Sequence, residues 1–183
     1  MQYALYLRTN QLTRTTIIMF EIRKATLEDI PLINELAWIV FPHTYKELLS
    51  QGQIEFMMDW MYSPTNLKKQ MTEDGHIYYL AFKDNEPVGY LSIQPEGEHV
   101  YHLQKIYVLP SFQGMKLGKL LFQQAIDGIK ELHPAPCQMR LNVNRQNKAV
   151  DFYKHLGMYK QAEGDFHIGN GYYMNDYIMA LDI

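Results

Sequence analysis

The chain has 183 residues, 47% of them hydrophobic and 20% charged, which fits one globular domain with a substantial core. Its net charge of −3 gives no reason to propose nucleic-acid binding, and no apolar run is long enough to span a membrane. The single cysteine, Cys137, rules out an internal disulfide and points to a reducing, cytoplasmic setting; nothing around it marks a nucleophile, so a small packed side chain is expected there.

In residues 1–18, Arg8 and Arg14 interrupt the apolar positions, so no signal-peptide core forms. Met19-Phe20-Glu21-Ile22-Arg23 reads as a natural start running straight into a strand. Residues 1–18 are therefore expected to be an extension outside the fold, and residues 19–183 one domain. Glu21 to Ala25 forms the first strand. Thr26 and Asp29 have the spacing of a capping box, and Ile30, Ile33 and Ala37 continue a helix. A second helical stretch runs from Lys46 to Tyr62, with Ile54, Met57, Met58 and Met61 on one side. Its acids, Glu47, Glu55 and Asp59, read individually as a solvated face.

Ile77 to Lys83 and Pro87 to Gln94 form a hairpin about Asp84-Asn85-Glu86. After a second turn at Glu96-Gly97-Glu98, a long strand runs from His99 to Val108. Pro110 ends it, and a loop with Gly114 and Gly118 follows. Leu121, Phe122, Ala125, Ile129 and Leu132 then recur at the spacing of one buried helical face. Met139 to Asn144 is a strand. Asn147 can cap a further helix, which Gly157 ends, and Met158 to Glu163 and Tyr172 to Leu181 are the last strands. The order β-α-α-β-β-β-α-β-α-β-β predicts an α/β fold: a mixed, mostly antiparallel sheet with helices on both faces.

Strand, glycine loop and helix together can hold an anion. The first amides of a helix have no carbonyl partner within it and point out from the positive end of its dipole. Gln113 to Gly118 would thus present a row of donors to a phosphate or diphosphate, with Lys116 and Lys119 adding charge. The alternative is that Gly114 and Gly118 only shape a turn. No Gly-Lys-Ser/Thr or Gly-x-Gly-x-x-Gly is present, which counts against nucleotide hydrolysis and a dinucleotide fold.

The stretch Ile106-Tyr107-Val108-Leu109-Pro110 followed by Gln113-Gly114-Met115-Lys116-Leu117-Gly118 resembles the GCN5-related N-acetyltransferases, whose acetyl-CoA loop reads Gln/Arg-x-x-Gly-x-Gly/Ala. Gln113 and Gly118 match, and Lys116 replaces the inner glycine. That replacement matters little if its φ is negative and more if the position needs a positive φ. Downstream, Asn147-Lys148-Ala149-Val150-Asp151-Phe152-Tyr153 and Leu156-Gly157-Met158 are similar to the family's Asn-x-x-Ala-x-x-Phe-Tyr helix and its exit. The resemblance covers about residues 20 to 183. Tyr62-Ser63-Pro64 and the ending from Gly169 to Tyr177 resemble the branch of PaiA-type polyamine acetyltransferases.

The resemblance implies acetyl-CoA as cosubstrate, no metal, and transfer to a primary amine of a small, polyamine-like molecule or a peptide. A homodimer is the implied assembly. The implied cofactor residues are Gln113, Gly114, Met115, Lys116, Leu117, Gly118, Lys119 and Asn147, with the backbone of Ile106, Tyr107 and Val108 along the pantetheine arm. Tyr153 falls at the family's acid position, where a phenol of pKa ~10 stays protonated and can supply the departing thiolate; otherwise it packs beside Phe152. For the base, Gln104 stands where family members often carry Glu. His102, two residues earlier on the same face of a regular strand, is the catalytic candidate, against a structural role for it. Glu35 and solvent are further candidates. Two other readings remain open: a non-catalytic CoA-binding module of the same fold, and a protein whose loop holds the phosphate of a different nucleotide.

Overall fold

The computed structural model of the protein describes residues 19–183; the expected extension over residues 1–18 lies outside the described residues. The first strand, β1, spans Glu21–Lys24. A 3-10 turn at Leu27–Asp29 leads into α1 (Ile30–Tyr45). The Asp29 carboxylate accepts from the Thr26 amide (2.8 Å) and from Arg23 (2.7 and 2.9 Å), so the expected capping box forms and is tied back to β1. Pro31 falls in the first turn of α1, where its missing N–H breaks no helical bond.

The second helical stretch starts later than its sequence pattern indicates. Lys46 to Leu49 form a turn, and the Ser50 hydroxyl accepts from the Gln53 amide to cap α2 (Gln51–Tyr62). Ser63-Pro64 then breaks the axis, and α3 (Pro64–Thr72), which the sequence order above omits, packs its one buried residue, Leu67, under α1 and α2.

The strands β2 (Ile77–Lys83), β3 (Glu86–Gly97) and β4 (Val100–Val108) form an antiparallel meander. Helix α4 (Leu117–Leu132) crosses to β5 (Gln138–Asn144), and α5 (Ala149–His155) to β6 (Tyr159–Gly169) and β7 (Tyr172–Asp182). The last hairpin is longer than expected, since β6 continues to Gly169. Sheet order is β1-β2-β3-β4-β5-β7-β6, antiparallel except for β4 beside β5.

Helices cover both faces, as the sequence order indicates. Helices α4 and α5 pack on one, where Leu121, Phe122, Ala125 and Ile129 meet Leu91, Ile93, Leu103 and Met139. On the other, α1–α3 bury Ile33, Phe41, Met58 and Leu67 against Tyr78, Leu80 and Tyr90. Cys137 is buried in the first of these cores, as a packed side chain.

Candidate active site

The one parallel strand pair does not run its full length. Val100, Tyr101 and His102 pair with Gln138, Met139 and Arg140, and the ladder stops there. From Leu103 and Leu141 onward the two strands part. Each keeps its other neighbour, β3 or β7, so the backbone groups turned toward the gap have no ladder partners. The gap widens into a cleft of about 860 Å³, a volume suited to a cofactor-sized ligand. Ile106, Tyr107 and Val108 line it from β4, Leu141 to Val143 from β5, and His43 to Tyr45 from the end of α1.

The glycine loop closes one end. After a 3-10 turn at Pro110–Phe112, Gly114 takes φ +78° and Lys116 takes φ +63° immediately before α4. The Phe112 and Gln113 amides donate to Leu109 and Pro110, and those of Lys119 and Leu120 to Lys116. Among the described residues, the amides from Gly114 to Gly118 donate to no carbonyl. They lie at the positive end of a sixteen-residue helix. Gln113, Gly114, Lys116, Gly118 and Lys119 line the cleft, and Lys148 adds a third ammonium. The Met115 and Leu117 side chains do not; Met115 is exposed and Leu117 belongs to the core. An ideal Cβ at Gly118 would sit 3.3 Å from the Phe152 ring, so a larger residue there would push on that ring.

The second motif arrives from the opposite wall. Asn147 caps α5 as expected, its Oδ1 accepting from the Ala149 amide at 2.9 Å, and it lines the cleft. Gly157 ends the helix at φ +94°. Tyr153 is buried between Phe122 and Phe152, with ring centroids at 6.4 and 5.4 Å, and it too lines the cleft. Burial holds its phenol well above the usual range, and Tyr45 adds to that, so the proton is retained at any working pH.

His102 is not brought to the cleft. It lies where β4 is still paired to β5, below the split, and its Nδ1 is 2.9 Å from the Glu96 carboxylate. Gln104 does reach the cleft, with its Nε2 bonded to Gln94 Oε1 at 2.7 Å. The register explains the difference. Ser92 pairs with Lys105 and Ile93 with Leu103, so Gln104 is the extra residue of a bulge. Glu35 is exposed on α1, away from the cleft.

Several cleft residues carry no sequence motif. Tyr45, the last residue of α1, is buried beside Tyr107 and Asn147. Asn142 projects from β5, and Asp176 of β7 stands behind it, with Oδ2 at 3.5 Å from Asn142 Nδ2 and Oδ1 unpartnered. Burial pushes the Asp176 carboxyl up to about 6. Lys105 lines the cleft from β4 although only 6% of it is exposed.

Known proteins share this sequence and fold in part. A 149-residue stretch is 26% identical to spermidine N(1)-acetyltransferase of Thermoplasma acidophilum, covering 79% of this chain and 91% of that one. Over 89 residues, 47% of this chain and 53% of the other, it is 29% identical to the uncharacterized N-acetyltransferase YjgM of Escherichia coli. Among solved structures, the PaiA N-acetyltransferase of T. acidophilum in complex with coenzyme A superposes with TM-score 0.74, at 24% identity, over 91% of this chain and all of that one. The ribosomal-protein-S18-alanine N-acetyltransferase of E. coli superposes with TM-score 0.67 at 18% identity, over 90% and 94% of the two chains. The acetyltransferase (GNAT) domain model matches residues 45–181, a span that opens at Tyr45 and takes in the split strands, the glycine loop and Tyr153. The chain belongs to the GNAT family of N-acetyltransferases.

Proposed function

We propose that this protein transfers an acetyl group from acetyl-CoA directly to the primary amine of a small molecule, polyamine-like in its chemistry, or of a peptide. The observation that carries this reading is the run of unpaired amides from Gly114 to Gly118 at the mouth of a gap between two strands. The amides suit a diphosphate. The unpaired strand edges suit the amides of a pantetheine arm, lying in the gap like an added strand. A solved relative in this fold holds coenzyme A, and a relative at 26% identity is named for spermidine.

In this scheme Lys116, Lys119 and Lys148 face the phosphates, and Asn147 bonds the arm. An amide donor on β4, at Ile106 or Val108, receives the oxygen of the thioester as it becomes an oxyanion. The acceptor arrives as an ammonium and first loses one proton. Its nitrogen then attacks the thioester carbonyl, and the carbon–sulfur bond breaks. The departing thiolate takes the Tyr153 proton, and Tyr153 recovers one from the newly bonded nitrogen. The products are the amide and free CoA, with one proton released overall.

The scheme includes a homodimer and a cytoplasmic setting; the single buried Cys137 supports a reducing compartment, and light scattering tests the dimer. The test of the reaction has two parts. CoA and acetyl-CoA should raise the melting temperature where ATP and NAD do not; stabilisation by ATP or NAD alone overturns the reading. A panel of polyamines, amino-terminal peptides and simple amines, followed by free-thiol detection, should then identify acceptors. CoA binding with no thiol release from any of them would favour a non-catalytic CoA-binding module.

A further inference from the structure

An amine attacks a carbonyl with its lone pair, so its N–H groups have to be held on the far side of the nitrogen. Two amide side chains at the apex of the split are placed to do that. Gln104 and Asn142 each stand two residues past the last paired position, His102 with Arg140, and both line the cleft. Both lie on the side of the sheet covered by α1–α3. Asn142 alternates with Leu141 and Val143, which belong to the opposite core. The bulge leaves Gln104 bonded to Gln94, which follows Ile93 of that opposite core. Paired strands are about 5 Å apart, so at the apex one nitrogen can come within hydrogen-bond reach of both side chains.

Each amide is turned by what stands behind it. The Asp74 carbonyl accepts from Gln94 Nε2 at 2.7 Å, which leaves Gln94 Oε1 to accept from Gln104 Nε2, also at 2.7 Å. Gln104 Oε1 is thereby directed away from Gln94. On the other strand Asp176, its carboxyl at about 6, is ionised at neutral pH and can only accept. The Nδ2 end of Asn142 therefore faces it, 3.5 Å from Oδ2, and Asn142 Oδ1 points away. Among the described residues neither Gln104 Oε1 nor Asn142 Oδ1 accepts a hydrogen bond. Asn142 is exposed, and Gln104 Oε1 is not among the buried unpartnered atoms.

The reacting bond belongs near this apex. An arm whose phosphates sit at the glycine loop runs down the gap from beyond Val108, so its thiol end comes last. Tyr153, the donor to the thiolate, is felt by Tyr45, and Tyr45 by Asp176 behind Asn142. On the α4–α5 side Leu103, Leu141 and Val143 are packed core, which leaves the α1–α3 side for the acceptor.

We propose that Gln104 Oε1 and Asn142 Oδ1 cradle the acceptor's nitrogen, each accepting one N–H, so that its lone pair is turned to the thioester and primary amines are selected over secondary ones. This rests on the acetyl-transfer reading and narrows its substrate class. A free primary amine has two N–H donors and a lone pair, which matches two oxygens. A secondary amine has one N–H, so one oxygen loses its partner and meets a carbon substituent. Neutral oxygens also hold the free amine without the pull a carboxylate would exert toward the ammonium.

Gln104→Met and Asn142→Leu keep the side-chain size and remove one oxygen each. With the best acceptor of the amine panel, each variant should lose about tenfold in kcat/KM, while CoA raises its melting temperature as in the parent. The parent should prefer a primary amine over its N-methyl analogue by about 100-fold or more, and each variant should narrow that preference about tenfold. A variant that loses activity equally on both amines would make the residue structural and overturn the proposal, as would parental kinetics. If no amine releases thiol, the acetyl-transfer reading fails separately, and calorimetric titration of spermidine into the CoA-loaded proteins still decides the cradle. Binding about tenfold weaker to each variant than to the parent supports it; equal binding, or none to the parent, overturns it.

Discussion

Lys116 sits at φ +63° immediately before α4, a conformation that sets its Cβ against its own backbone. A non-glycine residue there costs roughly 1–2 kcal/mol. Lys116→Gly removes that strain but gives the unfolded chain more freedom, which takes back about 0.5–1 kcal/mol. The net expectation is a gain of about 1 kcal/mol, or about 3 °C in melting temperature for a chain of this size. Lys116→Ala is the control. It loses the same ammonium yet keeps the Cβ, so it should stay near the parent and below the glycine variant. Both should bind CoA a few-fold more weakly at low salt, since an exposed charge beside a phosphate contributes at most about 1 kcal/mol, and the deficit should shrink as salt is added. Scanning calorimetry and CoA titrations at two ionic strengths read all of this. If Lys116→Gly is no more stable than Lys116→Ala, the loop is not strained at this position, and the arrangement of its amides is wrong.

Three more outcomes follow from the same geometry. Tyr153→Phe keeps the ring between Phe122 and Phe152 and removes only the proton, so steady-state kinetics should show kcat down by about 100-fold with CoA affinity intact; near-parental turnover would remove Tyr153 from the mechanism. Arg23 holds the Asp29 carboxyl at about 2, below its unfolded value of ~3.9, so the native state binds fewer protons between those values. That contribution, about 1 kcal/mol after allowing for the exposed Arg23, is fully present above about pH 4 and is lost as pH falls through about 2; urea midpoints of Asp29→Asn should therefore converge on the parent's in acid. Lys105 has the opposite ionic character: its native value of about 7 lies below the unfolded ~10.4, so stability should rise with pH across that window, and Lys105→Met should abolish the rise in chemical denaturation.

The parts of the site that were legible in the sequence are contiguous ones. Val108 to Leu121 announces a strand, a turn and an amphipathic helix through residues adjacent in the chain, and Asn147 with Gly157 marks both ends of α5 by local hydrogen bonding alone. The parts that were not legible depend on neighbours far away. Helix α3 buries only Leu67, so no apolar stripe betrays it. Strand β6 is the sheet edge with one pairing partner, and its mostly exposed residues read as loop beyond Glu163. The bulge at Gln104 has no glycine to signal it, so regular alternation along the strand puts Lys105 on the wrong face. Tyr45, Asn142 and Asp176 come from three elements and share the site only because the sheet brings them there.

The split between β4 and β5 explains why one site can hold both a linear arm and an anionic head. A parallel pair needs a crossover, and here the crossover is α4, packed on β3 and β4. The chain therefore leaves β4 and enters α4 at the open end of the split, so the free amides of the helix start must lie at the mouth of the gap. The bulge at Gln104, just where the ladder ends, adds local twist and turns β4 away from β5. The same peeling that strips β4 of its ladder partners thus aligns those unpaired groups with the free amides beyond Val108. A ligand that satisfies both has amides along its length and phosphate at one end, and a globular nucleotide would leave the strand edges unpaired.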